Sequence, residues 1–170
     1  MRIAVVMFTM LVLLSAAAQA QHSSSFGKMV TGNFDGSGKP ATCTAISGGQ
    51  KQQTASGFKS SLSAQQIKIA AKEVLLLNEG DLDGDGRDEL TVVITPDHGC
   101  TYGLETYSFK NGKWAVLIPY LLWPTFCDPF GEEEAQQQIF RRGKLIYQRS
   151  WNPNEEDQSK AWSDVPVKTK

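Results

Sequence analysis

The chain has 170 residues, with 17 basic and 18 acidic side chains and a formal net charge of −1. Because no basic stripe is present to neutralise phosphates, the composition disfavours a nucleic-acid partner. Beyond residue 20, about 150 residues remain, which is the usual size of one domain, and we expect residues 21–170 to form it.

The N-terminus has the features of a secretory leader. Arg2 gives a short positive start, residues 3–14 form an apolar run, and residues 18–20 read small-x-small. We predict a signal peptide over residues 1–20, cut before Gln21, and therefore a periplasmic or secreted protein. An uncleaved anchor helix is the alternative. No second apolar stretch approaches the length of a membrane span.

Three cysteines follow the leader: Cys43, Cys100 and Cys127. An exported protein meets oxidising conditions, so one pair and one remaining thiol are expected. We favour Cys100 with Cys127, which closes a short separation that contains a predicted hairpin. Cys43 is then a buried thiol in a strand or an intermolecular link.

The residues from Gly80 to Leu90 are the only segment whose spacing demands one chemistry. Asp81, Asp83 and Asp85 stand at loop positions one, three and five, and Glu89 at position nine. Alternating carboxylates on a tightly curled backbone place hard oxygens around one point, as Ca²⁺ requires. An EF-hand needs a glutamate at position twelve, but that position is Val92, inside a predicted strand.

This segment resembles the calcium loop of FG-GAP and VCBS-type repeats, the blade repeats of integrin-like β-propellers. The resemblance implies side-chain ligands at positions one, three, five and nine and a main-chain ligand at position seven: Asp81, Asp83, Asp85, Glu89 and Arg87. It also implies that Asp88 points outward. A propeller closes with four or more blades, and about 150 residues supply fewer. We expect a small non-propeller domain, with association of chains as the alternative.

A weaker copy of the loop lies 48 residues earlier. Its ligand positions read Asn33, Asp35 and Ser37, and Ala41 replaces the position-nine carboxylate, although the glycines recur. One full carboxylate is too little charge for tight Ca²⁺ binding, so we predict a degenerate second metal loop that keeps its turn.

The remaining segments give mixed signals. Residues 28–31, 42–46 and 90–94 are strand-like, and 47–60 is a polar loop. A capping-box pattern at Ser63 and apolar spacing predict a helix over 64–74, with a strand over 73–78 as the competing interpretation of the apolar run.

Two hairpins are predicted in the second half. Asn111-Gly112 joins residues 102–109 to 114–118, and a similar phrase joins 137–140 to 145–150. Between them, 119–130 is a proline-punctuated loop that we interpret as half core plug and half candidate binding surface, with Tyr120, Trp123, Phe126 and Phe130 as the candidate binding residues. Residues 21–27 and 163–170 are expected to be disordered.

We therefore expect a mainly β domain of antiparallel hairpins and blade-like repeats with one short helix, α+β being the alternative. The predicted function is an exported, calcium-stabilised, non-enzymatic binding domain, such as an envelope adaptor or an inhibitor or immunity protein. Its expected partner is another protein, and carbohydrate is a second option. The alternative is a small hydrolase of cell-wall or carbohydrate polymers, with catalytic carboxylates in 132–134 or 155–157.

Overall fold

A computed structural model of the chain describes residues 25–48, 56–157 and 159–169. The predicted leader therefore lies outside the described residues. The elements of the described ranges are β1 (Phe26–Gly27), β2 (Met29–Gly32), β3 (Ala41–Ile46), β4 (Ser56–Ser60), β5 (Ser63–Ile69), β6 (Val74–Gly80), β7 (Glu89–Ile94), β8 (Thr101–Lys110), β9 (Lys113–Pro124), α1 (Glu132–Gln136), β10 (Ile139–Arg142), β11 (Leu145–Trp151) and β12 (Trp162–Pro166). The predicted mainly β class with one short helix is confirmed.

The strands form three antiparallel sheets that follow one another along the chain. The first sheet has the order β2-β3-β4-β5, the central sheet β1-β6-β7-β8-β9, and the third sheet β10-β11-β12. Apart from β1, each sheet is a simple meander, because each strand pairs with the next one in sequence.

The central sheet buries side chains on both of its faces. One face shares a core with the first sheet, where Leu76 and Val92 pack in one cluster with Phe58. The other face shares a core with α1 and the third sheet, where Leu77 and Val93 join Ala135, Ile139 and Ile146. Strands that are covered on both sides need apolar residues at consecutive positions, which explains the continuous apolar runs of β6 and β7.

The 48-residue repeat of the sequence is also a repeat of structure. In each copy the loop joins the first strand of a meander to the second, β2 to β3 and β6 to β7. β3 (Ala41–Ile46) and β7 (Glu89–Ile94) coincide residue for residue at that offset. The repeat therefore consists of a strand, a glycine-rich loop and a strand.

The predicted helix over 64–74 is wrong, because residues 63–69 form β5 and the apolar run enters β6. Gln65, a polar residue, occupies one of the inward-facing positions of β5. The strand therefore lacks the alternation of apolar and polar residues by which a half-buried strand is predicted. Gln65 Oε1 accepts a hydrogen bond from Trp114 N at 2.9 Å, so an amide takes the place of an apolar side chain. The competing strand interpretation of 73–78 is confirmed by β6.

Two of the predicted loops are shorter in the structure, because part of each is a strand. Residues 119–124 are the second half of β9 rather than a loop, and 56–60 form β4, while 49–55 lie outside the described residues. Pro119 and Pro124 are tolerated because β9 is the edge of the central sheet, where a missing N–H need not break a ladder.

Both predicted hairpins are confirmed. Lys110 pairs with Lys113 across Asn111 and Gly112, which have φ values of 53° and 76°, as a two-residue primed turn requires. β10 and β11 pair from Ile139 opposite Gln148 onward, so the second hairpin is present, while the predicted strand residues Gln137 and Gln138 precede β10. The expected terminal disorder is wrong for 26–27 and for 163–166, which lie in β1 and β12.

Cys100 and Cys127 form a disulfide with a Cα–Cα distance of 4.8 Å, as predicted. Cys43 lies in β3 with 0% exposure and no disulfide partner, and burial raises the pKa of its thiol to about 12. Within the described ranges, no helix has the length and apolar character needed to cross a membrane.

Candidate metal centre

The loop between β6 and β7 curls around its own carboxylates. Gly84 and Gly86 have φ values of 85° and 86°, a backbone region open to glycine at little cost. Their N–H groups donate to Asp81 Oδ1 at 2.7 Å and to Asp81 Oδ2 at 3.1 Å. Asp83 Oδ1 accepts from Asp85 N at 3.1 Å. The backbone thus fixes the carboxylates at the first and third positions.

Glu89 is the first residue of β7, and its side chain folds back onto the start of the loop. Its side chain is 0% exposed, and Oε2 accepts from Leu82 N at 2.8 Å and from Asp83 N at 3.2 Å. The other oxygen, Oε1, is buried and makes no hydrogen bond of ordinary geometry, although the Ser108 hydroxyl is close enough to the Glu89 carboxyl to lower its pKa. Burial first, and then the charge of Asp83, raises the pKa of Glu89 to about 7. A buried carboxylate oxygen without a partner is costly unless a cation or donor satisfies it.

Three of the predicted side-chain ligands converge. One carboxylate oxygen each from Asp81, Asp83 and Glu89 lie within 4.8 Å of one another. Oxygens that surround one Ca²⁺ at 2.3–2.6 Å lie at most about 5 Å apart, so these three oxygens are close enough together to share one such cation. The residues present therefore fit the predicted cation.

The fourth predicted side-chain ligand, Asp85, pairs with Arg87 and Lys110 and is not part of this group. Arg87 Nη2 donates to Asp85 Oδ2 at 2.6 Å, and the contacts with Arg87 and Lys110 lower the pKa of Asp85 to about 2. The structure thus gives Arg87 a side-chain role as a partner of Asp85. Its main-chain ligand role stays a prediction.

Lys110 is a contact residue of the loop that the sequence did not predict. Its Nζ atom lies 2.8 Å from Asp83 Oδ2 and 3.2 Å from Asp85 Oδ2. The Asn-Gly turn revealed the hairpin, but only the pairing of β8 with β7 brings the end of that hairpin to the loop.

Glu79 is a second missed carboxylate. It lies at an irregularity in the pairing of β6 with β7, and its Oε1 atom is buried without a hydrogen-bond partner. Burial and, to a smaller extent, the charge of Glu89 raise the pKa of Glu79 to about 8. A hydrogen bond with Thr91 has the opposite effect, which is smaller than that of burial. Glu79 and Asp81 line one cavity of about 310 Å³ with Arg141. Burial therefore keeps Glu79 mostly protonated near pH 7, so it stands beside the loop as a neutral carboxyl group that the motif did not indicate.

The first loop keeps three of the internal hydrogen bonds of the second loop, with weaker ligands. Gly38 N donates to Asn33 Oδ1 at 2.8 Å, Ser37 N to Asp35 Oδ1 at 2.9 Å, and Lys39 N to Ser37 Oγ at 3.3 Å. These contacts reproduce, position by position, those of the second loop. No group of three ligating carboxylates, histidines or cysteines forms here among the described residues.

The two loops bind each other through Asp88, so the expectation that this side chain points outward is wrong. Asp88 Oδ2 accepts from Asn33 N at 2.7 Å and from Asn78 Nδ2 at 3.1 Å, while Asp88 N donates to Asn33 O at 3.2 Å. A Cβ at Gly32 would lie 2.5 Å from Asn78 Nδ2 and 2.7 Å from Asp88 Oδ2. That glycine is therefore needed for the close approach of the loops.

The candidate aromatic surface is divided by the fold. Trp123 is 4% exposed and Phe130 is partly buried, and both pack in the core between the central and third sheets. Tyr120 and Phe126 remain 54% and 52% exposed. Of the four, these two keep about half of their surface exposed, and the Phe126 ring also packs edge-on against Trp151.

Two carboxylates of the acidic runs, Glu134 and Asp157, have partners that are close in sequence. Glu134 Oε2 accepts from Gly131 N at 2.9 Å at the start of α1. Asp157 Oδ1 accepts from Ser159, and Asp157 Oδ2 pairs with Lys160 at 3.0 Å. Both carboxylates serve local turns of the backbone.

No protein-family model, curated protein or solved structure matches the chain.

Proposed function

We propose that the protein is an exported, calcium-stabilised, non-enzymatic binding domain. The convergence of Asp81, Asp83 and Glu89, with the buried Glu89 Oε1 that makes no hydrogen bond of ordinary geometry, is the observation that carries the calcium assignment. The resemblance to FG-GAP and VCBS-type loops supports the same ion. The predicted leader and the Cys100–Cys127 pair support export, because disulfides persist in oxidising compartments.

Calcium acts here on the stability of the central sheet. The loop connects β6 to β7, and Glu89 belongs to both the ligand set and the first position of β7. Without a cation, the gathered carboxylates repel one another. A ligand that binds only the folded state stabilises it by about 2.7 kcal/mol at a hundredfold excess over Kd.

The exposed Tyr120 and Phe126 support a partner-binding role, since exposed aromatic rings are frequent contact residues in interfaces. We propose another protein as the partner, as for an envelope adaptor or an inhibitor or immunity protein, with carbohydrate as the second option. A small hydrolase of cell-wall or carbohydrate polymers, with catalytic carboxylates in 132–134 or 155–157, is the alternative function.

Thermal unfolding and calorimetric titration test the calcium assignment. In saturating Ca²⁺ the wild type should melt about 5–10 °C higher than in EDTA, by converting that stabilisation at 2–4 °C per kcal/mol. Asp81→Ala and Glu89→Gln should abolish this difference. Asp97→Ala, at an exposed turn position, is the matched control and should retain it. A wild type that binds no Ca²⁺ and melts identically in both conditions would sink the assignment.

A further inference from the structure

We propose that Lys110 is an internal cation that competes with Ca²⁺ for Asp83 and so sets the affinity of the calcium loop. The inference rests on the proposed calcium function, and it concerns a residue outside the loop and outside the resemblance.

The two carboxylate oxygens of Asp83 have different partners. Oδ1 accepts the N–H of Asp85 at 3.1 Å, so the loop backbone uses that atom. Oδ2 is the atom that Lys110 Nζ approaches, at 2.8 Å. The oxygen that the backbone leaves open for a cation is therefore the one that the lysine holds.

The ion pairs of the loop are distributed unevenly. Lys110 and Arg87 pair with Asp83 and Asp85, whereas none of the ion pairs found among the described residues involves Asp81 or Glu89. A calcium ion that takes Asp83 must share or displace the ammonium group, and a second positive charge at that distance opposes it.

The hairpin limits how far the lysine can withdraw. Lys110 is the last residue of β8, pairs with Lys113 across the tight turn, and has a side chain that is 39% exposed. Its backbone is therefore fixed beside the loop, while its ammonium group can swing into water. This arrangement allows displacement by Ca²⁺ without a rearrangement of the sheet.

Lys110→Met removes the charge and keeps most of the apolar stem. Because exposed ion pairs contribute up to roughly a factor of five each, we expect the calorimetric Kd for Ca²⁺ to tighten about three- to tenfold. Lys113→Met makes the same charge change at the opposite, exposed position of the hairpin and should leave Kd within about twofold. Lys110→Arg keeps the charge and should remain close to the wild type.

Thermal unfolding separates competition from a purely structural ion pair. In EDTA, Lys110→Met should melt a few degrees below the wild type, since the loop carboxylates lose their counter-ion. In saturating Ca²⁺ that gap should close, because the loaded wild type no longer makes the Lys110 contact. An equal gap in both conditions, or a Kd that does not tighten relative to Lys113→Met, overturns the proposal.

The wild type offers a test that needs no stable neutral variant. With ¹³C-labelled lysine, the Cε resonance of Lys110, assigned through Lys110→Arg, should shift on addition of CaCl₂ while that of Lys113 stays in place. A Lys110 resonance that does not move while Ca²⁺ binds also overturns the proposal. A wild type that binds no Ca²⁺ in the calorimeter would instead refute the calcium function itself.

Discussion

Replacement of Asp88 by alanine should destabilise the domain without removing its response to calcium. The side chain accepts from Asn33 N at 2.7 Å and from Asn78 Nδ2 at 3.1 Å, and these bonds join the two loop repeats. The calcium motif alone places Asp88 outside the ligand set, facing solvent. In the structure Asp88 instead connects the two loop repeats by hydrogen bonds. An exposed Asp88 predicts no loss of stability on replacement, whereas a hydrogen-bonded Asp88 predicts a loss.

The magnitude follows from the two bonds. A hydrogen bond to a charged group contributes about 1.5–3 kcal/mol when buried. Both bonds are only partly buried, and water can replace part of the lost contact, so we expect about 2 kcal/mol in total. At roughly 2–4 °C per kcal/mol, the melting temperature should fall by about 4–8 °C. Asp88→Asn keeps an acceptor oxygen and should lose about half as much.

The assay is thermal unfolding followed by circular dichroism, in EDTA and in saturating Ca²⁺. The Asp88→Ala variant should be less stable in both conditions and keep the full calcium-dependent increase, unlike Asp81→Ala. Asp97→Ala serves as the control for loss of an exposed carboxylate. If Asp88→Ala melts within about 1 °C of that control, the tie between the loops contributes nothing and the reasoning fails.

Three further predictions concern the core and the backbone. Cys43, buried and with its thiol pKa raised to about 12, should resist labelling at pH 8 in the native protein and react after denaturation, because only the thiolate is nucleophilic; rapid native labelling would contradict its burial. Trp123→Ala should lower the free energy of unfolding in urea by about 3–5 kcal/mol, while Phe126→Ala at its exposed position should lower it by less than about 1 kcal/mol. Equal losses would contradict the assignment of Trp123 to the core and Phe126 to the surface. Gly57→Ala should prevent accumulation of folded protein, because a Cβ there would collide with the backbone carbonyl of Ile67; a normally folded variant would refute that contact.

Local signals predicted those parts of the fold that local chemistry determines. The turn at Asn111-Gly112 joins two strands because both residues adopt positive φ values, and the acidic loop curls because its glycines do the same. The glycine-rich copy 48 residues earlier kept this curl even though its ligand positions changed, since the hydrogen bonds of the loop need only a side-chain oxygen.

Features that depend on distant partners were not predictable in the same way. Gln65 faces inward because Trp114 offers it a backbone N–H, so β5 carries no apolar alternation over its first half. Asp88 and Lys110 look like ordinary surface charges until strand pairing brings Asn33 to one and Asp83 to the other. A single sequence carries the identity of such residues but not the pairing that gives them a role.

The contact between the loops has a consequence for dissection of this protein. A fragment that begins at Val74 would keep the intact calcium loop and the whole β6–β9 meander. It would lose the Asn33 backbone groups that bind Asp88 and the first sheet that covers one face of β6 and β7. Calcium affinity measured on such a fragment would include the free energy of ordering that exposed face. The calcium loop therefore does not function as an independent sensor without the first, degenerate loop.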